Sequence, residues 1–326
     1  MERSQMNRQG NNLDVASKVD VTNPAAVGAE VARIYSRLYP GYSGAAIKQA
    51  FDDLDRLYNG WFPGFHACDT PYHDIQHVLD VTLAMARLLE GHERTVARPE
   101  SLGAALFRLG IVTALFHDAG YVRSLEDTTS CNGAELTLTH VSRGARFLRS
   151  YLPLIGMGDL AEAAATLIHF TGYEVPVAEI AVPCTRYRRL GCLLGSADII
   201  AQMADRCYLE KCRDRLYPEF VAGGIARKRL PDGGEDVVFE SGEDLVMKTP
   251  RFFASAARRL DKDLAGSHRY SSYHFGGLHL YLEEIRRNVR FAATLNQERE
   301  TAALKRIPPR TLAVVTGSWE RVTSDE

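Results

Sequence analysis

The chain lacks any Cys-x-x-Cys pair; its six cysteines stand apart at 68, 131, 184, 192, 207 and 212. A chain of 326 residues needs no disulfide framework to hold a core, so reduced, buried thiols are expected. It also lacks a charge excess: the formal net charge is −2, which argues against bulk attraction to nucleic acid or anionic lipid. No uninterrupted run of about 18 apolar residues is present to suggest a membrane span. The opening Met1-Glu2-Arg3-Ser4-Gln5 has no apolar signal core, so a cytoplasmic protein is expected. Internal repeats and low-complexity tracts are missing too.

What the chain does have is helical periodicity. The first 24 residues are polar and read as a mobile arm. From Ala25 the apolar residues fall three and four apart: Val31, Ile34, Tyr35 and Leu38 before Pro40, then Ile47, Phe51, Leu54 and Leu57. Further helices are expected over Val78–Leu89, closed by Gly91, then over Leu102–Phe116, Leu136–Tyr151, Leu160–Phe170, Tyr187–Leu216 and Leu278–Leu304. Residues 223–250 carry Gly-Gly and Pro-Asp-Gly-Gly turn signals and read as an insertion. In it, Arg227–Leu230 can pair with Val237–Glu240 as a hairpin. The expected fold is all-α: one helical domain over 25–307 with a hairpin-like insertion, and a C-terminal tail over 308–326.

Six side chains that bind divalent metals stand out in this frame: His77, His117, Asp118, His140, His169 and Asp198. His117 and Asp118 are adjacent, and the others recur at intervals of about one helix plus its connection. Each falls at or near the end of a predicted helix. Imidazole and carboxylate without thiolate favour Mn, Fe, Mg or Zn in a catalytic role. Two such ions bridged by one carboxylate can hold an activated hydroxide, which suits attack on phosphorus.

The segment Pro71-Tyr72-His73-Asp74-Ile75-Gln76-His77-Val78-Leu79-Asp80-Val81 resembles the Tyr-His-Asn-x-x-His-x-x-Asp-Val signature of class I cyclic nucleotide phosphodiesterases. His117-Asp118 matches the pair that names the wider HD superfamily, and Asp198 in Gly195-Ser196-Ala197-Asp198 looks like its last metal ligand. The resemblance spans residues 45–220. It implies an HD-domain helical bundle in which His77, His117, Asp118 and Asp198 hold a first metal and Asp118 bridges to a second. It implies that His73 is the general acid, and an imidazole suits that task near neutral pH. His73 and His77, four apart, are expected on one side of a helix start.

The pattern also departs from that family. Tyr121 stands where those enzymes carry a further His, and Asp74 replaces the Asn. His140-Val141-Ser142-Arg143-Gly144 instead resembles the His-Pro-x-x-Gly element of bacterial HD-GYP proteins, and His169 falls where a further ligand of that class does. The His-His-Glu and Gly-Tyr-Pro signatures are missing, which disfavours cyclic di-GMP. His140 and His169 are therefore expected on a second metal.

Around this set, Tyr72, Arg143 and Gln202 are candidate substrate contacts. Asp74 either orients His73 or caps a helix. His274 and His279 read as structural or as part of a pocket, and Lys211 with Arg213–Arg215 as a solvated helix face. The function expected is a two-metal phosphohydrolase acting on a small phosphoester, a nucleotide phosphodiester above all. Metal-bound hydroxide would attack, and a homodimer is compatible with this. A non-catalytic nucleotide sensor and a di-iron HD-type oxygenase are the alternatives.

Overall fold

Apolar spacing becomes helix almost throughout the computed structural model, which describes residues 10–229, 234–298 and 301–310. Helix α1 (Pro24–Leu38) starts on Asn23, whose side chain accepts from the Ala25 and Ala26 amides, with proline in the first turn where no amide is needed. It buries Val27, Val31, Ile34 and Tyr35. Helix α2 (Ala45–Tyr58) buries Ile47, Phe51, Leu54 and Leu57, the face read from the sequence. Helix α3 (Ile75–Thr95) is the axis of the fold. It packs against α1, against α4 (Gly103–Leu115), against α7 (Thr185–Ala204) and against the short α11 (Tyr270–His274).

Gly91 does not close α3 as its residue type suggests. It lies inside the helix, where a Cβ would sit 1.8 Å from the Tyr270 carbonyl oxygen. Glycine is there because two backbones touch, not because the helix ends. Helix α4 is buried along most of its surface, with Ala105 exposed. The 24-residue stretch Arg98–Tyr121 is apolar enough for a membrane span by composition, yet 78% of that window is buried in the core.

Helices α5 (His140–Tyr151) and α6 (Ala161–Leu167) follow, and a 3-10 turn over Ile168–Phe170 extends α6. The long helix expected over Tyr187–Leu216 breaks at Asp205. That residue is extended (ψ 130°), and its carboxylate accepts the Cys207 amide at 2.7 Å. The chain re-enters helix as α8 (Tyr208–Lys211), a π-turn over Cys212–Leu216, and α9 (Tyr217–Ala222).

The hairpin forms, but from β1 (Arg227–Arg229) and β2 (Glu235–Val237), with Arg227 opposite Val237. The second strand thus starts two residues before Val237, and Leu230 lies outside the described residues. The insertion ends sooner than residue 250. Helix α10 (Gly242–Arg258) begins after Ser241, whose hydroxyl accepts the Asp244 amide, and tolerates Pro250 within it. The last helix is α12 (Leu280–Glu298). Among the described residues the fold is all-α apart from this two-stranded sheet.

Two terminal segments pack more closely than their polarity suggests. Within the expected mobile arm, residues 10–23 fold back through a Leu13–Asp20 bridge. The buried Asp14 carboxylate accepts the Lys18 and Val19 amides at 2.7 and 2.9 Å and pairs with Arg87. Arg87 is 2% exposed, donates to the Tyr281 hydroxyl at 3.0 Å, and lies over the Phe275 ring. Polarity here marks an internal ion pair rather than a solvated arm. At the other end, the Ile307 and Pro309 carbonyls accept from Asn11 and Arg215. Residues 1–9 of the arm and 311–326 of the tail lie outside the described residues.

Removing one partner of a buried ion pair strands the other charge. Asp14→Ala is expected to destabilise the protein by about 3–5 kcal/mol. Urea denaturation checks this, and an unchanged midpoint would show that residues 10–23 contribute nothing to the fold.

Candidate metal centre

The centre forms where three elements meet, two chain reversals and a helix. The first is the start of α3. Asp74 caps it, accepting the His77 amide at 2.9 Å on one oxygen and facing Arg215 at 3.3 Å on the other. Of the two readings of Asp74, capping is the one its contacts support. The cap places His77 in the first turn and leaves His73 just outside the helix, in the turn before it. The four-residue spacing therefore does not put both rings on one helix.

The second reversal follows α4, where His117 and Asp118 leave the helix and a 3-10 turn, Ala119–Tyr121, leads away. Gly120 allows this turn to press on α5: a Cβ there would meet the His140 carbonyl oxygen at 1.8 Å. The third is α7, which carries Asp198 midway along its length.

These elements bring His77 Nε2 to 3.3 Å and His117 Nε2 to 3.2 Å from Asp118 Oδ2. Asp198 Oδ1 lies 3.6 and 3.9 Å from the same two nitrogens. His77, His117 and Asp118 are all buried and form a compact donor set of the kind that holds a metal ion. His140 Nε2 lies 3.9 Å from the other Asp118 oxygen.

The backbone fixes how two of the imidazoles present themselves. His117 Nδ1 bonds the Ala114 carbonyl at 2.8 Å, and His140 Nδ1 bonds the Thr137 carbonyl at 2.6 Å. A carbonyl only accepts, so each Nδ1 carries a proton and each Nε2 is the atom that a second proton or a metal ion can take. His117 Nε2 and Asp118 Oδ2 are both buried without a hydrogen-bond partner. A lone pair facing a carboxylate oxygen repels it unless a cation lies between them. Burial alone would lower the His117 pKa, but the Asp118 carboxylate outweighs it and raises the pKa to about 9. Burial would raise the Asp118 carboxyl, but the His117 charge holds it well below the usual range. The pocket thus demands positive charge at this point, and a divalent ion fits the donors present. His140 differs: burial lowers its pKa and keeps the ring neutral, as a ligand must be.

His73 is set apart. Its Nδ1 bonds Glu219 Oε2, and the other Glu219 oxygen accepts the Tyr72 amide at 2.5 Å and the His73 amide at 3.3 Å. Burial would lower the His73 pKa, but the fully buried Glu219 carboxylate prevails and raises it. Glu219 was not among the residues singled out in the sequence. It sits on α9, 146 positions from His73, in no recognisable motif. Only the break at Asp205 turns the chain so that α9 reaches the start of α3. Tyr121, in place of a further His, is stacked between two rings: His73 at 4.3 Å and His140 at 4.5 Å between centroids.

The remaining candidates sit at varying distance from this cluster. Tyr72 is buried and donates from its hydroxyl to Gln202 Oε1 at 3.3 Å, so these two belong together. Arg143 is committed to carbonyls, that of Gly120 at 2.8 Å and that of Val122 at 3.4 Å, which braces the turn after Asp118. His169 bonds Glu174 through Nδ1 at 2.7 Å and makes no ion pair with Asp118 or Asp198. Its neighbourhood still feels the centre: burial would raise the Glu174 carboxyl, but the His169 hydrogen bond, with a smaller effect from His140, holds it down.

Lys211 and Arg215 are not the solvated helix face their charges suggest. Lys211 is 4% exposed and bonds Gln76 at 3.0 Å and Asp205 at 2.5 Å; Arg215 is 6% exposed and braces the Asp74 cap.

No protein-family model matches this chain, and no curated protein matches it. Two solved structures do, both of the phosphodiesterase domain of a rhodopsin phosphodiesterase from the choanoflagellate Salpingoeca rosetta. One is 13% identical with a TM-score of 0.50, covering 89% of this chain and 92% of that domain. The other is 13% identical with a TM-score of 0.49, covering 89% and 95%. At this identity the likeness is one of fold: the chain has a phosphodiesterase-like fold.

Removing the carboxylate at the middle of the donor set should abolish tight metal binding. Asp118→Ala is expected to weaken Mn binding at least about 100-fold, the scale on which lost ligand shells act. Calorimetric titration of chelator-stripped protein measures it, and retained affinity would mean that the ion sits elsewhere.

Proposed function

We propose that the protein is a metal-dependent phosphohydrolase that cleaves a phosphoester, a nucleotide phosphodiester above all. The observation that carries this reading is the pairing of two units side by side. One is a buried His77–His117–Asp118 donor set that needs a cation. The other is a His73–Glu219 pair that keeps a proton available. The phosphodiesterase-like fold supports it.

In this reading His77, His117, Asp118 and Asp198 would hold a first metal, and His140 and His169 would hold a second. Bound there, divalent ions supply positive charge for the phosphate oxygens and lower the pKa of water. The residues of the chain do the rest. Water gives up one proton to bulk solvent and adds to phosphorus as hydroxide, the bond to the ester oxygen breaks, and the electron pair leaves with that oxygen. His73, holding its Nδ1 proton toward Glu219, gives the proton on Nε2 to the departing oxygen. Glu219 holds the ring in place and favours its charged form. Tyr121 keeps the ring from turning by stacking on it. Tyr72 and Gln202, hydrogen-bonded to each other, and Arg143, through the turn it braces, are the proposed substrate-side residues.

The test is hydrolysis of cyclic nucleotides, nucleoside monophosphates and generic diesters with Mn, Fe, Mg and Zn compared. His73→Ala should lower kcat by about 100-fold or more while metal content stays unchanged. Full activity in this variant would remove His73 from the mechanism. Metal-loaded protein that binds nucleotides but hydrolyses none of the panel would identify a sensor, and oxygen uptake by iron-loaded protein an oxygenase.

The His73–Glu219 pair also makes a pH prediction. A general acid works while protonated, so activity should persist above the ordinary imidazole pKa and fall as pH rises through the elevated His73 value. In Glu219→Gln that carboxylate is gone, and burial is opposed only by the smaller effects of Asp118 and Asp198. The alkaline limb should move to lower pH, and a pH–rate profile identical to that of the parent would show that Glu219 does not tune His73.

A further inference from the structure

We propose that a cleft at the C-terminal end of α3, remote from the metal centre, binds a phosphorylated small molecule of about nucleotide size. The cavity measures about 1020 Å³ and opens between residues 16–19, α1, the last turns of α3 and the segment around His274–Leu280. Small-molecule sites typically enclose about 300–1,000 Å³. At ~1.5 Å per residue, the distance along α3 from His77 to Glu90 is about 20 Å, so the two sites occupy opposite ends of one helix. None of the proposed metal or acid residues lines this cavity.

Its walls are cationic although the chain as a whole is not. Lys18, Arg33, Arg37, Arg87 and Arg94 share the lining with two carboxylates, Glu30 and Glu90, and Arg87 is paired with a third, Asp14. Those carboxylates act as braces. Glu30 grips Arg33 through two bonds, at 2.7 and 2.6 Å. Glu90, with a side chain 1% exposed, holds Arg37 and accepts His274 Nδ1 at 2.5 Å. The guanidinium groups are thereby held in position before any ligand arrives.

Charge remains unanswered. Arg94 spends one donor on the Tyr273 carbonyl at 3.2 Å. Behind them Arg87 is buried and leaves its Nε without a partner, in spite of its pairing with Asp14 and Tyr281. Planar guanidinium forks match phosphate oxygens two at a time. An apolar wall completes the lining, with Leu38, Phe275, Leu278 and Leu280, and Leu278 is 57% exposed. A bare anion would leave that wall wet, whereas an organic phosphate with a ring or chain would cover it. His274, which could be structural or part of a pocket on its sequence alone, thus lines this second cavity.

The test is calorimetric titration of the full chain with AMP, glucose 6-phosphate and inorganic pyrophosphate, in chelator so that the metal centre retains no phosphate. At least one organic phosphate should bind one-to-one with Kd below about 1 mM. The double variant Arg33→Ala/Arg94→Ala should weaken it about tenfold or more. Arg33 has a side chain 54% exposed and Arg94 is exposed, so the unliganded thermal midpoint should not move. Lys18→Glu, at another exposed position, gives an independent variant expected to weaken binding in the same direction. Absence of binding by all three probes at several millimolar, or unchanged affinity in these variants, would overturn the site. Pyrophosphate binding as tightly as the organic phosphates would overturn the role of the apolar wall.

Discussion

A carboxylate buried among imidazoles is the constraint on which this structure turns. Asp118 lies within 4 Å of the Nε2 atoms of His77, His117 and His140. Such a group is stable in an apolar interior only if positive charge is shared with it. The surrounding fold is arranged to hold that unfavourable geometry in place. The Ala114 and Thr137 carbonyls fix two ring orientations. Gly120 lets the turn after Asp118 lie directly on α5, where any side chain would collide. Arg143 then ties that turn down through two carbonyls.

The start of α3 depends on a second layer of buried charge. Asp74 caps the helix, Arg215 steadies the cap, and Lys211 joins Asp205 to Gln76 one turn along. Asp80 faces the same cluster. Burial and the neighbouring Asp205 carboxylate push its carboxyl well above the usual range. Lys211 would be lowered by burial, but Asp205 raises it and keeps it charged. These contacts come from the segment after the break in the long helix. The break that defeats a simple helical reading is thus what carries Glu219 back to His73.

Helix α3 therefore serves both ends of the molecule. Its first turn carries His77 of the candidate metal centre, while its last turns present Arg87, Glu90 and Arg94 to a cationic cleft. Between them it is buried almost continuously, from Val78 to His92. Close packing makes such a helix move as one body or not at all. A ligand at one end and an ion at the other would thus be borne by the same rigid element.

Much was legible in the sequence because it is local. Helical spacing depends on which residues are apolar, and α1 and α2 lie close to where that spacing puts them. The donors were legible as residue types, since His-Asp at a helix end is informative without coordinates. The partners were not. Glu219 carries no motif, Gly91 looks like a helix terminator, Lys211 and Arg215 look solvated, and Asp14 looks like part of a free arm. Each is decided by what lies opposite in space: a histidine, a carbonyl, a carboxylate, an arginine. Helical class and the residue types of the donor set can be read along the chain. Tertiary structure alone decided which charges are paired and buried, because pairing energy depends on distances that no spacing along the chain records.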